Sequence, residues 1–160
     1  MRHLVYVKRG LVLLGNAFLV SACMVCAAFG QTTPAGTWQS VDDATGNPRA
    51  VIKISQAGDF YSGVVVRSLT PVAPGVVPVC DLCSDDRKGK PLMGMEIIRK
   101  VGVAEQGGVW SGGEILDPDK GKTYGLQLRL QDDGKKLQVR GKIGPFFRNQ
   151  VWTRLPAVSP

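Results

Sequence analysis

Tyr124, Leu126, Leu128 and Leu130 alternate with Gly125, Gln127 and Arg129, and Leu137, Val139, Gly141 and Ile143 alternate with Lys136, Gln138, Arg140 and Lys142. Successive side chains of a strand point to opposite faces, so each stretch carries one dry face and one wet face. Further strand-like segments rich in Val, Ile, Leu, Trp and Tyr fall at 36–42, 50–56, 60–69, 93–101 and 108–116, and a last one at 148–155. Turn signals separate them: Gln56-Ala57-Gly58-Asp59, Asp117-Pro118-Asp119-Lys120-Gly121, Asp132-Asp133-Gly134 and Gly144-Pro145. No stretch with the 3.6-residue period of a helix occurs outside the first thirty residues. The 20 Gly and 10 Pro fit many turns better than long helices. Eight short strands in a meander predict an all-β chain, a single antiparallel eight-stranded up-and-down barrel, with a sandwich as the alternative. One long irregular stretch, Thr70 to Pro91, holds Pro71, Pro74, Pro78 and Pro91. A connection of that length is often a lid or a functional insertion.

The first thirty residues read differently. Arg2, Lys8 and Arg9 precede an apolar run from Leu11 to Ala22. That run suits a signal-peptide core and is too short to span a bilayer of about 30 Å as a helix. Ala28-Phe29-Gly30 before Gln31 fits cleavage after a small residue. Val20-Ser21-Ala22-Cys23 is a rival site that would leave a lipidated Cys23, and an uncleaved anchor is the remaining reading. The expected organisation is a signal peptide at 1–30, one barrel domain at 31–160, and a periplasmic or secreted product. Without the leader, the formal charge drops from +7 to +4, because Arg2, Lys8 and Arg9 leave. His3, the single histidine, leaves with it, as do Cys23 and Cys26. Catalysis through Ser-His-Asp or Cys-His groups is then excluded, as are histidine zinc sites. The cations form no clustered stripe, so nucleic acid is not an expected partner.

A family resemblance rests on several separate motifs. They are Gly36-Thr37-Trp38, Gly89-Lys90-Pro91-Leu92-Met93-Gly94, Trp110-Ser111-Gly112-Gly113 leading through Asp117-Pro118 to Gly121-Lys122-Thr123-Tyr124, Leu137-Gln138-Val139-Arg140-Gly141, Gly144-Pro145-Phe146-Phe147-Arg148, and Gln150-Val151-Trp152-Thr153-Arg154. Together they resemble the bacterial domain of unknown function 2147 family over about residues 34–155. The resemblance implies an exported barrel of lipocalin-like (calycin) type and supplies no established activity. It also implies that Trp38 plugs one end of the barrel beneath Arg154, as in the lipocalin closure. Many family members carry a cysteine after the third-strand aromatic position and another in the Gly-Pro-Phe segment. This chain has Tyr61-Ser62-Gly63 and Phe146-Phe147 there, so a cross-barrel disulfide is not expected.

The sharpest chemical motif is Cys80-Asp81-Leu82-Cys83. A structural disulfide suits an oxidising compartment. A redox pair would want the first thiol at a helix N-terminus, whereas here Asp85 and Asp86 follow a Pro-rich loop. A structural zinc would want four N or S ligands, and two sulfurs remain. Asp117-Pro118-Asp119 begins like a calcium loop, but Gly121, Lys122 and Leu128 stand where the pattern wants an acid or Asn, Gly and Glu; a hairpin turn is the expectation. Glu96 and Glu114 could be imagined as a glycosidase pair, with solvated or paired acids as the commoner case. Arg140 and Arg148 are read as solvated, with anion binding as the alternative.

Two readings of function follow. The first is a non-enzymatic barrel that binds a small apolar molecule at its open end, under the Thr70–Pro91 loop, with Phe60, Trp110 and Tyr124 as walls and Glu114 as a polar anchor. The second is an envelope-protein interaction module whose barrel is filled by its own side chains, as bulky Leu126, Leu128, Leu130, Leu137 and Val139 would favour. No cofactor and no metal are expected in either.

Overall fold

A computed structural model of the chain describes residues 32–102 and 108–156. The expected leader, its two processing sites and the last four residues lie outside the described residues. The strands are β1 (Gly36–Val41), β2 (Pro48–Ala57), β3 (Phe60–Ser68), β4 (Glu96–Gly102), β5 (Val109–Asp117), β6 (Lys122–Gln131), β7 (Lys136–Ile143) and β8 (Phe146–Leu155). Each pairs antiparallel with the next, and β8 returns to β1, giving a closed up-and-down barrel. The closing seam is short: Thr37 faces Leu155, Trp38 faces Arg154, and Gln39 faces Thr153.

The alternation read from β6 and β7 sets the interior. Leu126, Leu128, Leu137 and Val139 are buried, and Leu128 and Val139 face each other across the ladder. Trp38, Ile52, Ile54, Tyr61, Ile98, Trp110 and Trp152 complete the core. Up-and-down connectivity sorts the connections onto two ends. Those after β2, β4 and β6 share the end where the chain enters β1; those after β1, β3, β5 and β7 share the other.

The long β3–β4 connection is not shapeless. Its second half doubles back as a small hairpin, with a bridge between Val79 and Pro91. The Cys80 amide donates to the Lys90 carbonyl at 2.9 Å, and the Leu92 amide to that of Pro78 at 2.9 Å. These bonds satisfy backbone groups that an irregular loop would leave to water.

Candidate functional site

The two ends of the barrel differ. At the first, Trp38 is fully buried and the Arg154 guanidinium lies 4.0 Å from its ring centroid. Arg154 also donates to three main-chain carbonyls, from Nε to Gly134 at 2.6 Å, from Nη1 to Ala35 at 2.7 Å and from Nη2 to Thr33 at 3.0 Å. The Trp38 indole N–H donates to the Pro34 carbonyl at 2.8 Å. Burial pushes the Arg154 pKa down, yet an arginine stays cationic in a protein. A planar five-donor group over an aromatic plug therefore ties β1, β8 and the β6–β7 turn into a sealed floor.

Above that floor the barrel is hollow. A cavity of about 690 Å³ opens at the other end, with Ile52, Val65, Ile97, Ile115, Val139 and Trp152 among its walls. Thr70, Val72, Pro78 and Leu92 of the long loop also line it. Polar groups are few inside: Ser40 donates to the Ala50 carbonyl at 3.2 Å, and the Trp152 indole donates to Gln150 Oε1 at 2.7 Å. Mostly apolar walls with a few polar groups are the usual make-up of a small-molecule pocket.

Charges ring the mouth and are paired across it. Arg49, at the start of β2, is ion-paired with Asp42 at 3.3 Å and with Asp119 of the β5–β6 turn. Arg148 on β8 is ion-paired with Asp43 and lies 3.7 Å from Asp117. Lys120 is 3.5 Å from Asp117. The β1–β2 and β5–β6 connections are half a barrel apart in strand order, so the Arg49–Asp119 pair forms a latch over the opening. Hydrogen bonds from the Thr45 hydroxyl and amide hold the Asp42 carboxyl below its ordinary pKa.

Among the residues expected from the sequence, Tyr124 lines the cavity. Three others do not. Phe60 is 54% exposed as the first residue of β3, at the sealed end. Its neighbour Tyr61 turns inward instead, because adjacent strand residues face opposite ways. Trp110 is buried beside Leu128 and packs in the core instead of walling the cavity. Glu114, expected as a polar anchor, lies on the face opposite Trp110, although an even spacing of four residues along an unbroken strand would put both on one face. Trp110 pairs with Leu128 but Gly113 pairs with Leu126, so β5 carries one extra residue. Gly112 takes a left-handed φ of 82° in that bulge. One inserted residue moves every later side chain to the opposite face. Glu114 therefore lies 3.6 Å from Arg87, and Glu96 accepts from Arg99 at 2.9 Å. Both imagined glycosidase carboxylates are committed to guanidinium groups.

Cys80 and Cys83 are bonded to each other. The disulfide sits in the hairpin 78–92, against the β5–β6 turn, with Cys80 Sγ 3.6 Å from the Pro118 carbonyl oxygen. A Cβ on Gly121 would overlap the Leu82 carbonyl, and Gly121 has φ of 61°, so only glycine allows this docking. Arg87 fastens the same hairpin and is 2% exposed. Its Nε reaches both Asp85 oxygens at 3.0 and 3.2 Å, Nη1 donates to the Glu96 carbonyl at 3.2 Å, and Nη2 donates to Thr123 Oγ1 at 3.2 Å. Arg99 grips Asp86 bidentately at 2.8 and 2.9 Å and holds its carboxyl down at about 2. Nothing local distinguishes Arg87 or Arg49 from solvated charges in the sequence, and Asp119 is legible there only as part of a hairpin turn. Among the described residues, no group of three His, Cys, Asp or Glu side chains is placed to hold a metal ion.

A sealed floor under an aromatic–arginine closure, a hollow apolar upper half and eight meandering strands define a lipocalin-type barrel. A solved structure described as protein HP1028 from the human pathogen Helicobacter pylori, belonging to the lipocalin family, is similar in fold. The TM-score is 0.65 at 13% identity, over 79% of this chain and 86% of that one. Residues 36–154 match the family described as uncharacterized protein conserved in bacteria (DUF2147), and the chain belongs to that family. No curated protein matches the sequence.

Proposed function

We propose that the protein is an exported, non-enzymatic carrier that holds one small, mainly apolar molecule in the upper half of its barrel. The observation that carries this reading is the cavity of about 690 Å³ with apolar walls, open at the end opposite Trp38. An eight-stranded barrel is about the right width for a single small ligand. Ser40, Tyr124 and Gln150 offer polar anchors along the wall. The charged groups at the mouth are engaged in ion pairs, which suits a gate better than acid–base chemistry. The basic, apolar leader supports export. The rival reading, an envelope module with a solid barrel, fits the hollow upper half less well.

Titration with an apolar fluorescent probe such as N-phenyl-1-naphthylamine tests the proposal. Saturable one-to-one binding is expected, and it should vanish in Ala50→Trp and Val65→Trp, which fill the cavity from two different strands. Absence of saturable binding in the wild type, or unchanged binding in folded Ala50→Trp and Val65→Trp proteins, would overturn it.

A further inference from the structure

The β7–β8 turn ends in exposed apolar side chains on both of its faces. Ile143 pairs across the ladder with Phe146, and Lys142 with Phe147. Adjacent pairs face opposite ways, so Phe146 and Phe147 project to different sides, 73% and 63% exposed, while Ile143 is 51% exposed. A second copy stacked on the sheet would cover one face of such a tip. A lipid interface surrounds both. Phe147 shares its face with Lys142, and the Arg140 guanidinium lies 5.0 Å from the Phe147 ring centroid.

Two further observations point the same way. From Lys136 to Leu155, β7 and β8 carry no acid, and Arg140, Lys142 and Arg148 lie on the halves of these strands nearest the β7–β8 turn, so this corner of the open rim complements an anionic surface. The rim aspartates are paired with Arg49, Lys120 and Arg148, which leaves Arg140 and Lys142 for such a surface. Half a barrel away on the same rim, the β3–β4 loop exposes Val72, Val76 and Val77. The cavity mouth lies between these two apolar prongs.

We propose that the open end of the barrel docks on an anionic lipid bilayer, with Ile143, Phe146 and Phe147 at the acyl boundary and Arg140 and Lys142 among the headgroups. Apolar side chains backed by cations bind at that depth through buried area plus electrostatic attraction. Docking would set the mouth against lipid, where an apolar cargo can exchange without crossing water. The docking itself holds whether or not the cavity carries a ligand.

All eight strands close on themselves within residues 36–155, so the test uses the chain from residue 31, without the apolar leader. Co-sedimentation is measured with vesicles of phosphatidylethanolamine and phosphatidylglycerol, and with vesicles of phosphatidylcholine alone. Binding to the anionic vesicles is expected, weaker on the neutral ones and weakened by salt. The double variant Phe146→Ser/Phe147→Ser should lose about tenfold or more in partitioning, and Lys142→Glu should lose binding to anionic vesicles selectively. The double variant should still bind the apolar probe, which separates this proposal from the carrier reading. No sedimentation of the wild type, or equal sedimentation of the folded double variant, would refute it. So would a wild-type dimer that becomes monomeric in the double variant, because the tip would then belong to a second copy.

Discussion

Replacing Arg154 by alanine should destabilise the whole barrel. The side chain donates to three main-chain carbonyls and caps the Trp38 ring at 4.0 Å. A hydrogen bond to a charged group contributes about 1.5–3 kcal/mol, and a cation–π contact about 1 kcal/mol. The three acceptors lie at the end of the barrel, where water can replace part of the loss, so the total expected is about 3–4 kcal/mol. With a urea m-value of about 1.5 kcal/mol/M, the unfolding midpoint falls by about 2–2.7 M. Arg154→Lys keeps the charge but not the fork, and should recover less than half of the loss. Gly36→Ala approaches the same site from the opposite side: a Cβ there would overlap Arg154 Nη1, at a φ of 141° that side chains rarely adopt. It should behave as a partial Arg154 deletion and add little on top of Arg154→Ala, since the two act on one interaction. Equilibrium urea unfolding followed by tryptophan fluorescence gives all four values. A cost below about 1 kcal/mol for Arg154→Ala would mean that the seam closes without its clasp and that the reasoning is wrong.

Three other outcomes are expected. Cys80→Ser/Cys83→Ser should cost no more than about 2 kcal/mol, because the closed loop is very short, with the loss confined to faster hydrogen exchange in residues 78–92. Acidification should release the same hairpin before the barrel unfolds. The Asp86 pKa is depressed from 3.8 to about 2, chiefly by its hydrogen bonds from Arg99, and that of Asp85 is depressed by hydrogen bonds from Arg87. A depressed carboxylate stabilises the fold above its unfolded pKa and loses that contribution as pH falls through the folded one. Cleavage within residues 78–92 by an acid-active protease should therefore rise between pH 4 and pH 2, while far-ultraviolet circular dichroism stays constant; a flat cleavage profile would contradict the assignment. Asp119→Asn should open the latch to Arg49 and speed probe association and dissociation together in stopped flow, whereas unchanged rates would show that the pair does not gate the mouth.

Most of the barrel was legible in the sequence because it is written in short-range terms. Strand alternation, Gly and Asp in the turns, and the absence of a helical period are properties of neighbouring residues, and the eight segments they indicate are the eight strands found. The bond between Cys80 and Cys83 was likewise an inference across four residues. Trp38 and Arg154 came from motif likeness, since 116 positions separate them in the chain and only closure of β8 on β1 brings them together. The site was less legible. Alternation says that one of two adjacent aromatics points inward and not which one, and the structure chose Tyr61 over Phe60. A single extra residue in β5 reversed the face of Glu114, and a bulge changes pairing without changing composition. The latch between Arg49 and Asp119 and the burial of Arg87 against Thr123 and Glu114 depend on where the connections fall after the sheet has closed. The sequence by itself determined which segments extend and where they turn, because those choices are settled by local sterics and burial. Only the tertiary structure decided what faces the cavity and what crosses its mouth, because these depend on register and closure, which join residues far apart in the chain.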